Sequence, residues 1–220
     1  MKSRLLIIAA AAIPVTLAAA SGTAQAQSNE LIWRPELAVA NGSGCRLQNG
    51  VGDPVVVAFG STVSVLFGLM GVDSLMGVDL PAGGPNQRLA DIKNCSVRIP
   101  VTIPRGYYIV ELTQTLTYGV NKTHGSSGKI TTLDSILDSS VGSLSVAIPR
   151  GSIQQPALTE SKTRYLRIEA CGASSRSGFY RTDVATSGQR DSSRETFILR
   201  AEGVDIHYDI KCRTRACFIH

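Results

Sequence analysis

Three histidines and five cysteines are the scarcest reactive residues of this 220-residue sequence. His207 stands between Asp205 and Asp209, so a strand would carry all three on one face, as a small metal or acid–base cluster requires. The same alternation also describes the solvated face of an antiparallel strand, and no second motif supports the metal. Ser126 and Lys129 make a Ser-x-x-Lys match, but in a Gly/Ser-rich stretch instead of at a helix start. Asp134 and Asp138, carboxylates that could pair across a sugar, read as residues of a solvated loop, and Asp53, Asp73, Asp79 and Asp91 lack the spacing of a calcium loop. No Gly-x-Ser-x-Gly, His-Glu-x-x-His or phosphate-binding glycine loop is present. The sequence therefore nominates no catalytic residue, no bound metal and no cofactor.

The cysteines Cys45, Cys95, Cys171, Cys212 and Cys217 contain no Cys-x-x-Cys pair, and disulfides are their expected chemistry. The N-terminus agrees. Lys2 and Arg4 precede an apolar run over 5–20, broken only by Pro14 and Thr16, and Ala24-Gln25-Ala26 is a small-x-small exit. This pattern predicts a signal peptide over 1–26, cleaved before Gln27, and a secreted or periplasmic/extracellular protein in an oxidising compartment. No later stretch reaches the roughly 18 apolar residues of a transmembrane segment. Removing Lys2 and Arg4 takes two charges from the formal +5. The remaining basic residues are scattered, and Lys211, Arg213 and Arg215 read as a solvated strand end, so nucleic acid is not an expected partner.

Hydrophobic residues make up 43% and charged ones 18%, which excludes a disordered chain and supplies a core for one domain. No helical period lasts several turns, whereas alternation recurs. Runs over 54–59 and 62–67, separated by Gly60-Ser61, predict a hairpin. Cys95, Val97, Ile99, Val101 and Ile103 share a predicted buried face, with Pro100 marking an edge or a bulge. Over 107–118, Tyr108, Val110, Leu112, Leu116 and Tyr118 share another. A Gly/Ser loop is predicted over 121–128, then a further element over 129–137. Leu144, Val146 and Ile148 lead into a second Ile-Pro-Arg-Gly that matches 103–106, read as common strand-end turn chemistry. More strands are predicted over 166–170, 179–186, 194–201 and 204–212. Leu-Met-Gly-Val-Asp occurs twice within 69–79, and is read as a loop or short helix packed over one end. The pattern predicts an all-β fold, a single antiparallel β-sandwich stapled by disulfides.

Gly42-Ser43-Gly44-Cys45, Lys93-Asn94-Cys95, the turn Pro104-Arg105-Gly106-Tyr107, Cys171-Gly172 and the cysteine-bearing strand ending at Cys212 occur in this order. In this the chain resembles the secreted domain-of-unknown-function family 4360, found in fungi and bacteria. The resemblance spans about 42–212 and implies a small secreted β-sandwich with no established chemistry. It leaves outside it the stretch over 27–41 with Trp33, the Met-Gly-Val-Asp loop and Cys217. The implied organisation is a signal peptide over 1–26, an N-terminal linker over 27–41 and the sandwich domain over 42–220. Together with the strand reading, the resemblance implies Cys45–Cys95 and Cys171–Cys212 disulfides. Cys217 is then left free, bridging to another chain, or displacing Cys212.

The leading functional expectation is a non-enzymatic binding or envelope/matrix protein whose partner is a glycan or another cell-surface component. The first alternative is a carbohydrate-binding module, which needs exposed rings to stack on sugars; Tyr107, Tyr118, Phe179 and Tyr180 are its candidates. The second is a secreted hydrolase with a site assembled from distant loops.

Overall fold

Alternation becomes burial once strands pair, because successive side chains leave opposite faces of the pleat. The structure, a computed structural model, describes residues 30–45, 54–67, 76–83, 87–199 and 207–217. In chain order its strands are β1 (Ile32–Trp33), β2 (Val39–Asn41), β3 (Val55–Phe59), β4 (Thr62–Leu66), β5 (Val78–Leu80), β6 (Ala90–Ile103) and β7 (Tyr107–Lys122). They continue with β8 (Ser126–Ile136), β9 (Ser139–Ile148), β10 (Ile153–Ala170), β11 (Arg176–Arg190), β12 (Phe197–Leu199) and β13 (His207–Ala216). A single-turn 3₁₀ segment, Pro35–Leu37, separates β1 from β2, and the described residues contain no α-helix. The leader expected over 1–26 lies outside the described residues.

The strands form an all-β sandwich of two antiparallel sheets. The first sheet runs β1-β6-β11-β8-β9, with β2 also on β6. The second runs β3-β4-β13-β7-β12-β5, and β10 follows β7 for its whole length. Between the sheets lie Val97, Ile99, Val101 and Ile103 of β6 and Ile109, Leu112 and Leu116 of β7, all buried. Each such side chain contributes about 1.5–3 kcal/mol by leaving water. Phe197 of the second sheet seats its ring over Gly128 and Gly188, which are cross-strand partners in the first; a Cβ at either would run into that ring. The hairpin at Gly60-Ser61 forms as β3 and β4. Both Ile-Pro-Arg-Gly segments are strand-end turns whose glycines, Gly106 and Gly151, take positive φ (82° and 119°).

Several expectations are corrected by pairing partners that sequence patterning does not reveal. The stretch taken as a linker supplies β1 and β2, and Trp33 is buried with its ring edge-on to Tyr180. Pro100 stays in continuous register with Phe179 of β11, without a bulge. Its carbonyl accepts from Arg34 N–H on the opposite edge, where the chain leaves β6 for the 3₁₀ turn, so its missing N–H removes no ladder bond there. On β7 the inner face does not run evenly from Tyr108 to Tyr118. Ile109 is buried instead of Tyr108 and Val110, because one extra β7 residue faces β13 between Arg213 and Thr214. The loop expected over 121–128 shrinks to residues 123–125, because β7 extends to Lys122 and β8 starts at Ser126. Lys122 closes this end, donating to the carbonyls of Ser126 and Gly151, and burial pushes its ammonium below the usual lysine range. The second Leu-Met-Gly-Val-Asp copy packs inward through Met76 and Val78; the first lies outside the described residues.

Disulfides join Cys45 to Cys95 and Cys171 to Cys217. The expected Cys171–Cys212 bridge is corrected by register. Ala170 and Ala216 both pair with Tyr107, from opposite sides of β7. The chain ends then converge over Gly106, whose N–H donates to Ala170 O at 2.8 Å and whose carbonyl accepts from Cys217 N–H at 2.7 Å. Cys212 instead pairs with Leu112, roughly 17 Å further along β7 at the usual rise per residue, beyond disulfide reach.

Cys212 is a free thiol, 2% exposed, and burial pushes its pKa from 9.0 up to about 12. In the unfolded chain it loses its proton first, so the folded state binds more protons between pH 9 and 12. Its contribution is fully present below pH 9 and is lost as pH rises through about 12, on the order of 4 kcal/mol across the window. Tyr118, raised by burial and then by Glu160, acts in the same direction. The stability of Cys212→Ala is therefore expected to fall less steeply with alkaline pH than that of the wild type, as urea titrations at pH 8 to 11 would record. Equal slopes would mean that the thiol ionises freely in the folded state.

Candidate functional site

The outward face of the first sheet holds a depression of about 580 Å³, lined by Val39, Ala40 and Asn41 of β2, Ser96 and Arg98 of β6, and Arg181 of β11. Register explains the composition. Val39, Arg98 and Arg181 lie side by side across three strands, and Asn41, Ser96 and Asp183 form the next row. Their side chains point outward because the alternate residues Val97, Ile99, Tyr180 and Thr182 are buried. In the row on the other side, Pro100 pairs with Phe179, whose ring is 53% exposed.

Arg98 and Arg181 are direct cross-strand partners, an arrangement in which like charges repel. Asp183 relieves part of this repulsion by accepting from Arg181 Nε at 3.1 Å and Nη2 at 3.0 Å. Arg98 has no carboxylate partner among the described residues. The site thus offers guanidinium, amide and hydroxyl hydrogen-bonding groups beside an exposed ring. It can bind a polar, ring-bearing ligand.

The residues singled out from the sequence are placed differently. Asp134 does not sit in a solvated loop. It lies on β8, 1% exposed, where it accepts from Tyr180 Oη, Gln114 Nε2 and, at 3.2 Å, Thr132 Oγ1. Asp138 stands apart from it, exposed in the β8–β9 turn. Asp205 lies outside the described residues, while His207 and Asp209 fall two apart on β13, opposite Thr117 and Thr115 of β7. No group of three metal-ligating side chains occurs among the described residues. Ser126 is buried with its hydroxyl on the carbonyls of Thr123 and Thr196, whereas Lys129 is exposed.

Of the four aromatic candidates, Tyr118 and Tyr180 are buried and cannot stack on a sugar, and Tyr107 is half-buried. Phe179 is the exposed one. The sequence reading missed Tyr165, 80% exposed on the outer face of β10, and the juxtaposition of Arg98 with Arg181. Alternation marks each arginine as outward-facing, but no sequence signal says that two residues 83 positions apart are neighbours.

No protein-family model and no curated protein matches the sequence. Among solved structures the chain is similar to the family 61 carbohydrate-binding module TmCBM61, solved with β-1,4-galactotriose. The TM-score is 0.26 and the identity 9%, over 82% of this chain and 86% of that one. It is similar also to a C-terminal family 6 module of LamC, a laminarinase from Zobellia galactanivorans (TM-score 0.24, 12% identity, 61% and 98% coverage). A third is a family 6 module of lichenase 5A from Cellvibrio mixtus, in complex with cellotriose (0.23, 14%, 83% and 98%). Likeness at these scores decides nothing about the ligand of this chain. No described helix is long and apolar enough to cross a membrane.

Proposed function

We propose that this protein is an exported, non-catalytic binding module that holds a glycan on the outward face of its first sheet. The observation that carries this reading is the depression lined by Asn41, Ser96, Arg98 and Arg181, with the Phe179 ring beside it. Its volume lies within the usual range for small-ligand sites. Amide, hydroxyl and guanidinium groups can exchange hydrogen bonds with sugar hydroxyls, while an exposed ring supplies an apolar face for the C–H face of a pyranose. Two disulfides suit a protein that works outside the cytoplasm, as does the leader-like N-terminus, and the family resemblance is compatible with the same setting.

The test is retention on a panel of insoluble cellulose, chitin, xylan, calcium pectate and calcium alginate. Binding to at least one is expected, weakened about tenfold by Phe179→Ala and unchanged by Tyr165→Ala on the other sheet. Loss of binding in Tyr165→Ala alone would move the site to β10. Failure to bind any glycan would reject the reading.

A further inference from the structure

The depression is more basic than its lining alone suggests. Arg34 follows β1, donating its N–H to Pro100 O at 3.0 Å, and is exposed. Ile32 is exposed and Trp33 buried, so Arg34 continues the outward register and stands beside the Pro100–Phe179 row. Arg98 lies two residues along β6 from that row. In an antiparallel sheet this places the Arg98 and Arg181 backbones about 5 Å apart and those of Arg34 and Arg98 about 7–8 Å apart. Three guanidinium groups therefore rise from one small area, and Asp183 is the described carboxylate that bonds any of them.

We infer that the glycan held here is anionic, its sugar rings bearing carboxylate or sulfate groups that the Arg34, Arg98 and Arg181 side chains bind while Phe179 packs against a ring. The inference rests on the glycan-binding reading above. A planar guanidinium donates two parallel hydrogen bonds to a carboxylate or sulfate, and an incoming anion relieves the repulsion that the Arg98–Arg181 pairing builds into the sheet. A neutral glycan would relieve none of it. The three arginines are exposed, so the attraction is open to screening and must weaken with salt.

The experiment is affinity electrophoresis of the full exported chain through gels containing polygalacturonate, dextran sulfate, dextran, hydroxyethyl cellulose or poly-glutamate, at low and high salt. Expected is retardation by polygalacturonate or dextran sulfate, weaker at high salt and reduced about tenfold by Arg98→Gln and by Arg34→Gln separately. Arg98→Lys should restore only part of it, because an ammonium keeps the charge without the fork. The carboxylated and sulfated arms distinguish the two anionic groups. Retardation by the neutral polymers as strong as by the charged ones, and unaffected by the arginine changes, would overturn the anionic inference while leaving the glycan reading intact. Retardation by poly-glutamate equal to that by polygalacturonate would show that charge alone is recognised and would overturn both. Binding to none of the five would also overturn the inference, and the insoluble-glycan panel then shows whether glycan binding survives it.

Discussion

Asp134→Ala is expected to cost about 4 kcal/mol of stability. The carboxyl is 1% exposed and accepts from Tyr180 Oη on β11, Gln114 Nε2 from the facing sheet, and Thr132 Oγ1 on its own strand. Truncation removes the acceptor that these buried donors share, and each group left unsatisfied costs about 1–3 kcal/mol. Asp134→Asn should be less damaging, because its amide keeps one acceptor oxygen and its NH2 can donate to a hydroxyl, which accepts as well as donates. The informative comparison is the triple variant Asp134→Leu, Tyr180→Phe, Gln114→Leu. Removing these three polar side chains is expected to recover much of the loss, since apolar groups of similar size demand no partners and the Thr132 hydroxyl still accepts from Leu144 N–H. Urea unfolding of the three proteins checks this. If Asp134→Ala matched the wild type in stability, the network would be solvated and the sandwich core open to water.

Arg190→Ala is the second large effect, about 3 kcal/mol. Arg190 ends β11 almost wholly buried, and its guanidinium ties the stretch before β6 in the first sheet to those after β5 and before β12 in the second. Nε and Nη2 donate to Arg88 O at 3.0 and 2.7 Å, and Nη1 donates to Glu195 O at 2.9 Å and also to Pro81 O. Nη2 reaches Gln87 Oε1 at 3.3 Å as well. Five N–H donors in one plane allow a single side chain to satisfy several carbonyls, which an ammonium with three cannot match. Arg190→Lys is therefore expected to restore less than half of the stability. Thermal unfolding should show a drop of roughly 10 °C for Arg190→Ala in a chain of this size. Amide exchange should also quicken around residues 81–83, 87–89 and 193–195. A loss below about 1 kcal/mol would mean that water replaces the guanidinium at little cost.

Much of the architecture was legible along the chain. Alternation in 95–103 and 144–148, the hairpin signal at Gly60-Ser61 and the paired Ile-Pro-Arg-Gly turns each express a local rule: side-chain period two, or a glycine able to take positive φ. Those rules depend on neighbours in sequence, so one chain suffices to read them. Where a second strand sets the outcome, the local reading failed. Val110 turns away from the core because β7 carries an extra residue against β13. Asp134 looks like a loop carboxylate until Tyr180 and Gln114 arrive from other strands to hold it. Cys217 replaces Cys212 as the partner of Cys171 because β10 and β13 both end beside Tyr107, a matter of register that spacing does not encode. The candidate site was the least legible part. Phe179 is legible as a candidate stacking ring, but its setting beside Arg34, Arg98 and Arg181 exists only after β1, β6 and β11 have paired. By itself, the sequence determined the all-β class, the buried faces of regular strands such as β6 and β9, and the oxidisable cysteines, because burial alternation and turn chemistry act over a few residues. The tertiary structure alone decided which cysteines join, which carboxyl is buried and which arginines meet, because contacts between distant strands depend on register.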